Sequence, residues 1–319
     1  MKRVFSLLVF VLLLNGCDDG NLTLETIDFE DAQTQSCSNN IIYKLKPSEA
    51  LLLEIPKITF VNEPTSPSSP IVLDIDNTTN RVIYRFYDGT VSSENICNTI
   101  PPAKPYITDQ WTATSGKIEI TTTSITSAGS IPGSTVITGY NHHIVFKNIT
   151  FAKTNGTQVY ETFVFGDYTT STTPLPFGFD KTVEQCSNTK DLYNYNGGEA
   201  FTIDNLDPTL IVNVETPVNT PRTALIGDVK NKLTYRLYNG LLPSTYFCNL
   251  IPPPIPLIKE EWNGVKGVAN TSGIIEVSTI KSGTTAFKHT ITIKNATLKK
   301  GNSSFKLGDV YLYGDLITF

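Results

Sequence analysis

Two stretches of the chain, Tyr84 to Trp111 and Tyr235 to Trp262, carry the same residues in the same order 151 positions apart. YRFYDGTVSSENICNTIPPAKPYITDQW answers YRLYNGLLPSTYFCNLIPPPIPLIKEEW without a gap, with Tyr, Arg, Tyr, Gly, Cys, Asn, Ile, Pro, Pro and Trp in register. A match this long means two copies of one domain, so whatever fold the chain adopts has to be built twice. Shorter pairs extend the repeat. CSNN at 37–40 answers CSNT at 186–189, SGKIEI at 115–120 answers SGIIEV at 272–277, FKNITF at 146–151 answers IKNATL at 293–298, and FGD at 165–167 answers YGD at 313–315. The copies are placed at 34–168 and 183–319, differing mainly by about six extra residues after Trp262. Residues 169–182, rich in Thr, Pro and Gly, read as a short stiff linker. Each copy is long enough to bury its own core.

No segment keeps a helical period, whereas short runs of Ile, Val, Thr, Tyr and Phe recur between turn residues, an all-β signature. Strands are expected near 41–45, 50–60, 71–75, 81–87, 106–112, 117–123, 136–151 and 158–166. In the second copy they are expected near 191–195, 200–203, 209–215, 223–227, 232–238, 257–262, 274–280, 286–299 and 304–317. Asp88-Gly89 and Asn239-Gly240 read as tight hairpin turns with positive φ. Thr154-Asn155-Gly156 and Lys300-Gly301-Asn302 read as the turns of the last hairpin. The Pro-Pro runs at 101–102 and 252–254 cannot sit in a central strand and predict an extended crossover. The expected architecture is two tandem homologous antiparallel β-sandwich domains, immunoglobulin-like in general shape but without the Cys-Trp-Cys order of that family.

The chain opens MKRVFSLLVFVLLLNGC, two cations and then an apolar run from Val4 to Leu14 that is too short to span a bilayer. Leu14-Asn15-Gly16-Cys17 resembles the lipobox of bacterial lipoproteins. The resemblance implies cleavage behind Gly16, acylation of Cys17, and a signal peptide at 1–16. Asp18 and Asp19 follow, as in Bacteroidota lipoproteins, where acidic residues after the lipid-bearing Cys accompany export to the surface of the outer membrane; in enterobacteria Asp here favours the inner membrane instead. Residues 17–33, with many acids and little periodicity, read as a solvated acidic tether. Losing Lys2 and Arg3 with the signal takes the formal charge from -5 to -7, which gives no footing for nucleic acid.

Of five cysteines one is assigned to the lipid. The other four fall as Cys37 and Cys97, and Cys186 and Cys248, at matched spacing, and in an exported protein this reads as one disulfide per domain. The rival use, zinc, lacks CxxC spacing or a paired His.

Alternation in the strand from Arg81 to Tyr87 points Val82, Tyr84 and Phe86 to the core and Arg85 and Tyr87 away, with Arg236 and Tyr238 equivalent in the second copy. That face reads either as sheet surface, Arg lying along Tyr, or as a binding face for a sugar or acidic ligand. Asp109 and Glu260 share a strand face with Trp111 and Trp262, again either a sugar contact or an indole packed beneath the crossover. Glu119 and Glu276, and Asp167 and Asp315, recur without a spacing that converges them into a catalytic pair. His142 and His289 sit on apolar strand faces, as satisfied core residues do. Asp74-x-Asp76-Asn77 hints at calcium but lacks the Gly and a second copy. No catalytic or metal motif is present, and neither a metal nor a cofactor is expected. The expected role is a lipid-anchored cell-envelope binding protein, not an enzyme, with a glycan or envelope protein as partner. The alternative is a structural or accessory lipoprotein. Cys17→Ser is expected to yield an unacylated protein released from membranes, read by intact mass and fractionation; unchanged mass and retention would refute the assignment.

Overall fold

The computed structural model describes residues 26–66 and 68–319, so Cys17 lies outside the described residues. Each copy is an all-β, two-layered antiparallel unit. The first has strands β1 (Thr34–Ser36), β2 (Ile41–Lys46), β3 (Glu49–Glu54), β4 (Ile71–Asp74), β5 (Arg81–Tyr87), β6 (Ile107–Ala128), β7 (Thr135–Lys153) and β8 (Gly156–Ser171), paired in the order β1-β2-β3-β5-β6-β7-β8 with β4 also on β6. The second has β9 (Glu184–Gln185), β10 (Leu192–Asn196), β11 (Glu199–Asp204), β12 (Arg222–Leu225), β13 (Lys232–Tyr238), β14 (Ile258–Gly264), β15 (Ile274–Ser282), β16 (Ala286–Lys300) and β17 (Ser303–Thr318).

Long strands form both layers. The first part of β6 pairs with β5 and its later part with β4, while β7 runs beside it from Thr112 to Ala128. The bend lies at Gly116 and Asn148, both with positive φ, where a side chain at Gly116 would meet the Ile149 backbone. Asn148 is the Asn of FKNITF, and Asn295 of IKNATL takes the same left-handed conformation, as Asn does more readily than most residues. Between the layers lie Ile42, Leu51, Leu53, Val82, Tyr84, Trp111, Ile118, Phe146 and Phe151. Where the two strands expected at 106–112 and 117–123 merge into β6, the second copy breaks the same path into β14 and β15. The extra residues after Trp262 form the intervening loop.

Several expectations change. The strand expected at 50–60 stops at Glu54 and passes into a 3-10 turn, and 209–215 is a loop that turns Leu210 inward and leaves Val212 and Val214 exposed. Asp88-Gly89 and Asn239-Gly240 are not hairpin turns, and neither glycine has positive φ. Instead Asp88 Oδ1 accepts the Tyr106 N–H at 2.8 Å and Asn239 Oδ1 the Leu257 N–H at 2.9 Å, fastening both ends of the crossover. That crossover is a strap laid over the outer face of the sheet. It begins with the short helix α1 (Ser93–Cys97) in the first domain and a 3-10 turn, Ser244–Tyr246, in the second. Disulfides Cys37–Cys97 and Cys186–Cys248 tie the straps down.

The tether and the linker are also corrected. Ile27 and Phe29, inside the stretch expected to be solvated, are buried in the first core, and Phe29 meets Tyr84 edge-on at 5.9 Å. The Ile27 N–H donates to Tyr160 Oη, and buried Lys44 donates to the Phe29 carbonyl. Phe177 and Phe179, half-buried, pack against the second core in the same way, Phe177 stacking on Tyr235 at 4.4 Å. Alternate apolar residues at 27 and 29, and at 177 and 179, slide an extended segment across the open edge of each core, so these segments open their domains.

The first domain carries ten more residues than the second between Thr122 and His142, as against Thr279 and His289. They lengthen the β6–β7 hairpin, which clasps the second domain. Ile131, Ile137 and Tyr140 pack into its core, Tyr140 Oη lies 3.2 Å from Ser303 Oγ, and the Asp309 N–H donates to the Pro132 carbonyl. Phe29→Ala is expected to cost about 3–5 kcal/mol of first-domain stability in a denaturant titration; a solvated tether would give no change.

Candidate functional site

The clasp leaves a cavity of about 180 Å3 between the domains. Its apolar wall includes Trp262, Phe305, Phe177, Leu175, Tyr140 and Ile137. Its polar groups come from both sides: Glu260 and Lys300 of the second domain, and Asn62, Thr172 and Thr173 from the first domain and the connection. Glu260 and Trp262 are therefore brought together as expected, by alternation along β14. Glu260 Oε2 accepts from Trp262 Nε1 at 3.1 Å and from Lys300 Nζ at 2.8 Å, while Nζ stands 4.9 Å above the indole.

The first domain repeats this unit. Trp111 Nε1 donates to Asp109 Oδ2 at 2.9 Å, and Lys153 lies 4.4 Å above the ring. Both indoles are buried, so each acid holds an indole in the core and each Lys covers its face. The lysines were missed, although each closes the strand before the last turn, in FAKTNG and in TLKKGN.

The outward Arg-Tyr face is corrected. Tyr87 is buried with Val91 and Ile96 under its strap, and Tyr238 packs edge-on against Tyr246 at 5.3 Å under the other. Strap residues that alternation along one strand cannot see cover this face. Arg85 donates to Gln110 Oε1 at 2.9 Å, and Arg236 is paired with Glu261 at 2.7 Å. Arg236 and Tyr238 line a second cavity of about 330 Å3 beneath the strap, with Asp204, whose carboxyl burial pushes up.

The duplicated acids stay apart. Asp167 accepts from Asn141 and pairs with His143; Asp315 pairs with Lys288 and accepts from Thr290. Asp76 Oδ1 accepts the N–H groups of Asn80, Thr78 and Thr79, which lowers its pKa to about 2 and makes it a turn acceptor. Among the described residues no group of three or more His, Cys, Asp or Glu converges to hold a metal.

A polar chain that sequence reading did not assemble runs through both cores. His142 Nδ1 lies 2.9 Å from Thr122 Oγ1 and Nε2 lies 3.1 Å from Thr170 Oγ1, which donates to Asn62 Oδ1. His289 has Thr279, Thr318 and Asn213 in the same places. Since Thr170 and Thr318 give their protons to Asn, their oxygens accept from Nε2–H, and Nδ1 accepts from the other Thr. The repeated Val-Asn-x-x-Thr at 61–65 and 212–216 was the available signal, because Thr65 and Thr216 also bond the backbones of Thr122 and Thr279.

No protein-family profile, curated protein or solved structure matches the chain.

Burial lowers the His142 pKa to about 4, and burial with nearby Arg222 lowers that of His289. The unfolded chain binds these protons near pH 6.5, so stability is complete above 6.5 and falls as pH drops toward 4. For His142 the loss is on the order of 3 kcal/mol. Melting temperature across pH 7 to 4 is expected to decline in that window. A flat profile would show the imidazoles are not held neutral.

Proposed function

We propose that the chain is a lipid-anchored protein of the cell envelope that binds a single sugar ring of a glycan in the interdomain cavity. The observation that carries this is the meeting of an aromatic wall, Trp262, Phe177, Phe305 and Tyr140, with polar groups contributed by two domains. An apolar ring face suits the wall, and hydroxyls suit the carboxylate, ammonium, amide and Thr groups at its edge. At about 180 Å3 the space lies below the roughly 300 Å3 where sites for drug-sized molecules begin, which favours one ring over a long chain. The proposed site is shared by the two domains.

Glu260→Gln keeps an acceptor for Trp262 Nε1 and removes the charge; Lys300→Met keeps a stem over the indole and removes the ammonium. Against a panel of neutral and acidic saccharides measured by calorimetry, each is expected to weaken binding at least tenfold with little change in melting temperature. Failure of the unsubstituted protein to bind any saccharide, or binding by both variants as tight as that of the unsubstituted protein, would reject the site. The accessory-lipoprotein reading is favoured instead by the exposed apolar side chains of the second strap.

A further inference from the structure

The second strap joins two features, an absence of charge and projecting aliphatic side chains. From Asn239 to Ile258 there is no charged residue in twenty positions, in a chain that is 17% charged. Leu242 and Tyr246 turn inward to the satellite core. On the outer side Leu250 is 93% exposed, Ile251 84%, Leu241 80% and Ile255 73%. Leu250 and Ile251 stand clear of the surface, while Leu241 and Ile255 border a shallow, open apolar depression with Leu242, Pro243 and Pro256. The first strap also exposes Ile100 and Tyr106 but carries Asp88, Glu94 and Lys104.

The backbone is prepared in the same sense. Among the eight residues Leu250 to Leu257, four are proline, at 252, 253, 254 and 256. Each removes an N–H that would otherwise need a partner when water is withdrawn. The disulfide Cys186–Cys248 and the Asn239–Leu257 bonds hold the segment to the domain, so little ordering remains to be done on contact.

Covalent geometry limits where this surface can go. If Cys17 bears the lipid, as proposed above, the ten residues to buried Ile27 reach at most about 35 Å, and the domains stay beside the bilayer. We infer that the strap of the second domain is a membrane-resting surface, with Leu250, Ile251 and Ile255 entering the outer part of a neutral lipid leaflet. A deformable apolar phase shelters projecting aliphatic side chains, and the lack of charge makes neutral lipid the matching surface.

The test uses the chain from residue 17 onward with Cys17→Ser, which contains both complete cores and no lipid of its own, floated with phosphatidylcholine vesicles. It is expected to float, and Leu250→Ser with Ile251→Ser and Ile255→Ser is expected to lower the bound fraction at least tenfold at an unchanged melting temperature. Equal flotation of the variant, or no flotation of the parent, overturns the inference. Loss of a dimer in the variant by sedimentation, without vesicle binding by the parent, would overturn it in favour of self-association. The acylated protein from cells, assayed in parallel, shows separately whether the lipid anchor holds when the strap does not.

Discussion

The bend in the long β6–β7 pair is the constraint on which the first domain depends. One hairpin serves both layers, so the layers cannot separate without breaking a ladder that runs from Thr112 to Ala128. The bend needs backbone that most L-residues avoid, and the chain supplies it with Gly116 and Asn148, a bulge that turns the strands and moves the next residues into the second layer. Asn295 holds the same place in the second domain, where the break between β14 and β15 relieves β15 of the turn that β6 makes continuously. Gly166 and Gly314, the glycines of FGD and YGD, extend the pattern to the outer strands, also at positive φ. The repeated segments around Gly116, Asn148 and Gly166, and around Asn295 and Gly314, are thus the corners of the fold.

Closing the core demanded more than two layers. Phe29 and Phe179 enter from segments that precede the first paired strand of each domain, and Lys44 gives up water to bond the Phe29 carbonyl, which burial resists. The buried His chain is a comparable solution between the strands. Two Thr hydroxyls on each imidazole let a polar ring occupy an apolar layer in one protonation state, with Asn62 or Asn213 as the terminal acceptor. Asn62 also reaches the interdomain cavity, so the interior network of the first domain ends at the candidate site.

Duplication followed by divergence in length made the domain interface. The two copies keep the acid, indole and lysine unit, but only the first has the longer hairpin, and only the second has that hairpin packed beside its indole. Apolar residues at the hairpin tip, Ile131 and Pro132, meet Gly308 closely enough that any side chain there would collide. The cavity exists because two related surfaces, one extended and one not, were set against each other.

Features that depend on short-range order were legible along the chain. The two copies, the all-β class, the inward Val82, Tyr84 and Phe86, and the pairing of an acid with each Trp all follow from register and from the alternation of side chains along a strand. Two cysteines per copy at matched spacing were enough to anticipate both disulfides. Which outward faces stay open depended instead on long-range packing. Tyr87 and Tyr238 point away from the main core as alternation requires, yet they are buried, because strap residues four to nine positions later fold back over them. The same holds for buried Ile27 and Phe29 and half-buried Phe177 and Phe179, whose acidic or Pro-rich neighbours give no local sign that they pack inward. It holds again for the cavity, whose walls are drawn from residues 62 to 305. Alternation reports the direction of a side chain, whereas burial depends on what distant chain arrives in that direction.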